Sequence, residues 1–266
     1  MPSTPASTPP SLLVVACYVL IEARRGGLVW VSLGALALAL LLAAFLGQVS
    51  ITESGDTRVL AAAALLRAMA VFLLAAHVVG SLGREFNDKG VELALALPVS
   101  RPTWYAGKLA GFAAAGLLLA ALYALPLLAL APAPAVFRWA LSLGLELCLV
   151  AAAALFFGAA LAQSMTAMAA AAAFYLLARS MPAIQSLARS PLTEGSEGAS
   201  ALGEIARAMV DGLALFLPRL EHAASGAWLV HGLPDWNVQL ASLAGMALYF
   251  ALLAAAGLFD FSRRSF

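Results

Sequence analysis

The chain of 266 residues is 63% hydrophobic and only 11% charged, where soluble domains carry about 25% charged residues. So much apolar side chain cannot hide in one water-soluble core of this size, and it arrives in blocks of the length that spans a bilayer. A formal net charge of +1 excludes a global attraction to nucleic acid, and two distant cysteines, Cys17 and Cys148, exclude a disulfide framework or metal knuckle. Both cysteines read as small apolar packing residues.

The opening residues, MPSTPASTPPS, are rich in Pro, Ser and Thr and read as a disordered tail over 1–10. No basic residue precedes the first apolar run, so a cleaved secretory signal is not expected and the tail is placed in the cytoplasm. The remainder, 11–266, reads as a single all-α transmembrane domain of six spans. Ser11 to Arg25 is apolar but short and ends in Glu22, Arg24 and Arg25, as a helix lying along the membrane interface does. Gly26-Gly27 then breaks the chain before span one, about Leu28 to Gln48.

A polar stretch, Ser50 to Arg58, leads to span two, about Val59 to Leu82, which contains Arg67 and His77. The most charged stretch follows, Arg84 to Lys108. Span three is about Leu109 to Leu130 with Pro126 near its end, and APAPAVFR turns the chain. Span four, about Trp139 to Ala162, carries Glu146; a polar turn, Gln163-Ser164-Met165-Thr166, leads to span five, about Ala167 to Leu187. Pro182 should kink or end that span. Span six is about Leu240 to Phe259.

Between spans five and six lies a long segment of mixed polarity, about 190–237. Leu202, Ile205, Met209, Leu213 and Phe216 recur at helical spacing, with Glu204, Arg207 and Asp211 on the other face. Ser200 stands where an N-cap would. This predicts an amphipathic helix on the outer membrane surface, with a second short helix over about Leu220 to His231.

Placing the N-terminus inside puts Arg24, Arg25, Arg84, Lys89, Arg101, Lys108, Arg263 and Arg264 on the cytoplasmic side, and Arg58, Arg138, Arg189, Arg207 and Arg219 outside. The positive-inside rule favours that orientation, with both termini cytoplasmic.

The inner loop REFNDKGVELALALPVSRPTWYAGK is the informative stretch. Its charged half, Arg84 to Glu92, predicts a short helix clear of the bilayer; its middle is apolar but too short to span, and Pro98 ends any helix there. Trp104 and Tyr105 stand where interfacial aromatics belong, beside Lys108, whose stem can snorkel to the headgroups. Physics alone leaves two readings open, a loop with a face that docks something or a positively charged topology anchor.

The run Glu85, Gly90, Glu92, Leu93, Leu97-Pro98-Val99-Ser100-Arg101, Gly107-Lys108 and Gly111 resembles the inner-loop signature of type-2 ATP-binding-cassette (ABC) permeases. It is most similar to the six-span permeases of the multi-copper-enzyme and nitrous oxide reductase maturation type. The resemblance implies a permease subunit in a bacterial inner membrane, with a second copy completing the path as a homodimer. It also implies two copies of a separate cytoplasmic ATPase that carry ATP and Mg, and leaves room for an extracytoplasmic accessory protein. The ATPase contact would fall on Arg84, Glu85, Asp88, Lys89, Gly90, Glu92, Pro98 and Arg101, with Gln163, Ser164 and Thr166 as a second inner contact. No cofactor is expected on this chain: Gly107-Lys108 lacks the GxxxxGK[ST] of a phosphate loop, so the chain by itself is not expected to be an enzyme.

Arg67, Glu146 and Arg179 lie inside apolar runs, where ionised groups are costly and face protein or water. At about 1.5 Å per residue, Arg67 and Glu146 each sit roughly 12 Å from the outer side, and Arg179 at a similar depth. The three read as a clamp joining spans two, four and five, or as a polar lining of the substrate path. His77 reads as a packing residue. His222 and His231, near Met209, lack a carboxylate or cysteine at ligand spacing, so no metal is expected. No catalytic serine elbow, HExxH or intramembrane aspartate pair is present. The alternative to an ABC permease is an ATPase-independent secondary transporter or a membrane-embedded assembly factor.

Overall fold

Each apolar block of the sequence becomes a helix in the computed structural model, which describes residues 12–49, 54–87, 100–161, 163–188, 205, 208–214, 217–218, 220 and 226–263. In chain order these are α1 (Leu12–Arg25), α2 (Leu28–Val49), α3 (Ser54–Asn87), α4 (Arg101–Ala124), a 3-10 turn (Pro126–Ala129), α5 (Ala133–Ala160), α6 (Ser164–Ala188), a second 3-10 turn (Gly226–Leu229) and α7 (Trp236–Arg263). No strand occurs among the described residues. Helices α2 to α7 are each long and apolar enough to cross a membrane. The protein is an all-α, multi-pass membrane protein.

Helix α5 is the central post. It packs against α3, α4, α6 and α7, and its small side chains Ala151 to Ala154 let neighbours approach from every side. Helices α2 and α7 are the periphery: Leu41, Phe45, Leu248 and Phe259 stay exposed, as side chains solvated by lipid do. Gly116 marks the mid-height register, since a Cβ there would lie 3.1 Å from both Leu74 of α3 and Leu147 of α5. At one end of the bundle Gly83 abuts Ser164 and Lys108 meets Glu85; this is the Lys108 end. At the other, Arg138 donates to the Pro234 carbonyl at 2.6 Å beneath the Trp236 ring; this is the Arg138 end.

The helices run longer than the apolar blocks. Helix α3 begins at Ser54, inside the stretch expected to be loop, with Asp56 in its first turn, where the helix dipole favours a carboxylate. At its far end α3 carries on through Arg84 and Glu85 to Asn87, so these residues belong to span two and do not open a separate helix. Its 34 residues reach about 51 Å against roughly 30 Å of hydrocarbon, so its ends project into water. Only the first two residues of APAPAVFR, Ala131 and Pro132, make the turn: Ala133 starts α5, with proline in the first turn, where a missing N–H costs nothing. Pro126 does end α4, whereas α6 continues past Pro182 to Ala188. Helix α4 starts at Arg101, capped by the Ser100 hydroxyl accepting from the Thr103 N–H at 3.4 Å.

One expectation about the neighbourhood of α1 changes. Helix α1 packs onto the start of α4, where a Cβ on Gly107 or Gly111 would come within 2.6 Å of Val15 or Val19. The four-residue step on both helices makes this a small-xxx-small contact. Trp104 and Tyr105 are buried, not interfacial; Phe261 of α7 stacks on Trp104 at 5.1 Å, and Tyr105 lies against Gly257. Cys148 is buried and Cys17 exposed.

In the segment between α6 and α7, residues 208–214 are helical. Ile205, Met209 and Leu213 are exposed while Asp211 accepts from Gln185 of α6 at 3.1 Å. Ser200, Leu202, Glu204, Arg207 and Phe216 lie outside the described residues. Of the short helix expected over about Leu220 to His231, Leu220 is helical and Gly226–Leu229 form a 3-10 turn, while 221–225 lie outside the described residues.

Candidate functional site

Two charged clusters stand out, one at mid-membrane and one at the Lys108 end. In the first, Glu146 is fully buried on α5 and meets two arginines. Arg67 Nε of α3 lies 3.3 Å from its Oε2, and Arg179 Nη1 of α6 lies 3.9 Å from its Oε1. Tyr175 donates to the same Oε1 at 2.9 Å, and Arg179 also donates to the Leu220 carbonyl at 3.3 Å. The Arg67 guanidinium faces the Trp139 ring at 5.5 Å, a favourable placement where water is excluded. The structure thus brings together all three residues singled out by depth in the sequence.

Tyr175 and Trp139 escaped the sequence reading although spacing could have found them. Tyr175 precedes Arg179 by four residues and Trp139 precedes Glu146 by seven, so each shares a helix face with its charge. Two cations share one carboxylate, and Arg67 Nη2 is buried without a hydrogen-bond partner. Chemically the group offers ion pairing across α3, α5 and α6.

The second cluster was not anticipated. Lys108 of α4 is 1% exposed and does not snorkel; its ammonium pairs with Glu85 of α3 and stands 3.8 Å from Glu22 of α1. The rings of Tyr18, Trp104 and Phe112 surround it at 5.6 to 5.9 Å. Glu22 also accepts from the Ser81 hydroxyl at 2.7 Å and pairs with Arg84 at 3.3 Å. Two carboxylates and two cations therefore balance, which is what makes a buried ammonium tolerable.

For Glu22, burial pushes its carboxyl pKa up, but the Ser81 hydrogen bond, Lys108 and Arg84 together outweigh burial and hold it below the usual value. The available signal was the lone acid on α1, and the Ser81, Arg84, Glu85 spacing that puts three polar groups on one face of α3. His77 is next to this cluster, edge-on to Phe112 at 6.0 Å with Nε2 buried and unpartnered, a packing position.

Of the residues assigned to ATPase contact, Arg84 is exposed at the side chain and Glu85 points inward to Lys108. Arg101 is half-buried in the first turn of α4. Asp88, Lys89, Gly90, Glu92 and Pro98 lie outside the described residues. Gln163, Ser164 and Thr166 are exposed, with Thr166 donating to the Gln163 carbonyl at 2.8 Å, and Ser164 touches Gly83. The start of α6 therefore lies beside the end of α3 at one end of the bundle. Among the described residues no three of His, Cys, Asp and Glu gather as metal ligands; His231 and Met209 are exposed and His222 lies outside that set.

No protein-family model matches the chain, and a search of curated proteins finds no match. What these clusters do is therefore read from their own geometry and from the inner-loop residues.

Proposed function

We infer that this protein is the membrane-embedded permease half of an ABC-type transporter, worked by a separate cytoplasmic ATPase. The observation that carries this reading is the meeting of three helix ends at one end of the bundle. There α3 ends in Arg84–Asn87, α4 begins at Ser100-Arg101, and Ser164 at the start of α6 touches Gly83. The permease-like motif, Glu85 to Gly111, bridges the first two through 88–99, and the second inner contact belongs to the third. A push on that loop would reach α3 and α4 directly and α6 through Gly83. The Lys108–Glu85 pair makes α3 and α4 move together, and Glu22 adds α1.

The reading carries further assignments: the Lys108 end faces the cytoplasm of a bacterial cell, both termini lie on that side, and a second copy of the chain completes the path. In this frame the Arg67–Glu146–Arg179 group is a clamp within each copy.

The test is co-purification of the chain, from the cells that make it, with a soluble ATPase subunit. Glu85 is a poor site for the disrupting change, since Glu85→Lys would set two ammonium groups together inside the bundle. Asp88→Lys with Glu92→Lys, leaving Glu85 in place, should abolish ATPase association while the melting temperature stays that of the parent. An undiminished complex sinks the docking assignment. Transport by the chain alone in vesicles without nucleotide would instead establish an ATPase-independent secondary transporter.

A further inference from the structure

A cavity of about 280 Å³ opens between the end of α1, the start of α2 and the middle of α4. Leu20, Leu28, Val29, Leu118 and Leu122 make its walls. Among the described residues its only polar side chains are Arg24 and Ser32. The Ser32 hydroxyl is already committed to the Leu28 carbonyl at 2.6 Å, so Arg24 is the one group left to meet a ligand. Gly27, at φ 81°, allows the tight turn that sets the last turn of α1 beside the first turn of α2. Tyr123 donates to the Ser32 carbonyl at 3.1 Å and ties α4 to α2 beside the cavity.

Three observations say what fills it. Val29 and Leu118 at its edge are exposed on helices that cross the membrane, so the opening faces lipid. Arg24 and Arg25 lie just before span-forming α2, so their charge stands where that span begins, with the apolar walls running along it. Glu22, the sole acid on α1, is turned toward Ser81, Arg84 and Lys108, so among the described residues no carboxylate neutralises Arg24. The volume is just under the roughly 300–1,000 Å³ of small-molecule pockets, enough for part of one acyl chain and not for a whole lipid.

We propose that this cavity is a binding site for an anionic phospholipid, with one acyl chain lying between α1, α2 and α4 and the phosphate held by Arg24. A guanidinium grips phosphate oxygens through two parallel charge-assisted hydrogen bonds. Basic residues at the rim of a gap between spans are a recurrent headgroup site. A bound lipid would fasten α1 to the bundle on the side opposite the Glu22 contacts. This site does not depend on the ATPase partner.

The test uses the full chain purified in detergent and titrated, by native mass spectrometry, with phosphatidylglycerol, phosphatidylcholine of the same acyl chains, and glycerol phosphate. Phosphatidylglycerol should bind about tenfold more tightly than phosphatidylcholine, whose own choline cation already offsets the phosphate that Arg24 would grip, and glycerol phosphate should not be retained. Arg24→Gln should erase the preference, Arg25→Gln should keep it, and Val29→Trp, filling the mouth, should weaken both lipids. All three changes are at exposed positions, so the fold tolerates them, and an unchanged melting temperature checks this. Equal retention of the two lipids, or equal losses from the Arg24 and Arg25 changes, would overturn the site as a diffuse charge effect. Binding of glycerol phosphate as tight as that of lipid, or a Val29→Trp effect seen only as loss of a dimer, would overturn it in favour of a free anion or a second copy.

Discussion

Glu146 is the residue on which most of the membrane-embedded polarity converges. A carboxylate with no exposed surface, flanked by Arg67 at 3.3 Å, Arg179 at 3.9 Å and the Tyr175 hydroxyl, cannot be neutralised by solvent when a partner is lost. Truncating one member of such a pair typically costs about 3–5 kcal/mol, because the stranded charge stays in low dielectric. Glu146→Gln strands Arg67 most, since that guanidinium is 4% exposed at its side chain against 28% for Arg179. Thermal unfolding in detergent should therefore show a clear loss for Glu146→Gln and partial recovery in the double change with Arg67→Gln. The recovery with Arg179→Gln should be smaller, because that arginine keeps the Leu220 carbonyl and some solvent. If both double changes add the single losses, the charges act independently and line a wet path instead.

At the scale of the element, α1 is the piece held by few kinds of contact. Its Val15 and Val19 fit over Gly107 and Gly111, and Glu22 ties it to α3 and α4. The Glu22 carboxyl pKa is held below its ordinary 4.5 in the folded protein, so the unfolded chain binds a proton more readily than the folded one. That contribution to stability is present in full above the ordinary value and is lost as pH falls through the folded value. Melting temperatures of the parent and of Glu22→Gln should thus differ near pH 7 and converge as the pH is lowered below the ordinary carboxylate value and through the folded one. A gap that stays constant over that range would show that the Glu22 charge adds nothing to holding α1.

For the whole molecule, alternation of six spans sets the two ends of α6 on opposite sides of the membrane. Gln163 and Asp211 are both exposed; Gln163 adjoins the start of α6, and Asp211 meets Gln185 near its end. With Cys17 and Cys148 replaced, a cysteine at Gln163 and one at Asp211 should react with an impermeant thiol reagent from opposite faces of inverted and right-side-out vesicles. Reaction of both from one side would overturn α6 as a span and, with it, the surface placement of residues 208–214. The side that labels Gln163 also identifies the cytoplasmic end, which in the proposed reading is the Lys108 end.

Span number and approximate position were legible because hydrocarbon tolerates only long apolar helices, and that demand is written into composition residue by residue. Depth along each span was legible for the same reason, which is why Arg67, Glu146 and Arg179 could be set on one level before any fold was known. Helix ends were not: α3 and α5 extend through polar or proline-containing stretches, since a helix stops where its backbone loses partners and not where hydropathy falls. Nor was the fate of Lys108, Glu85 and Glu22. A lysine beside aromatic residues reads as a snorkelling anchor until a third helix covers it. Only the approach of α1 over Gly107 and Gly111, with α3 alongside, removes that lysine from water and makes two carboxylates its solvent. Periodicity and composition determined which segments enter the membrane; which side chains face one another there was decided by the contacts between helices, set by small residues far apart in the chain.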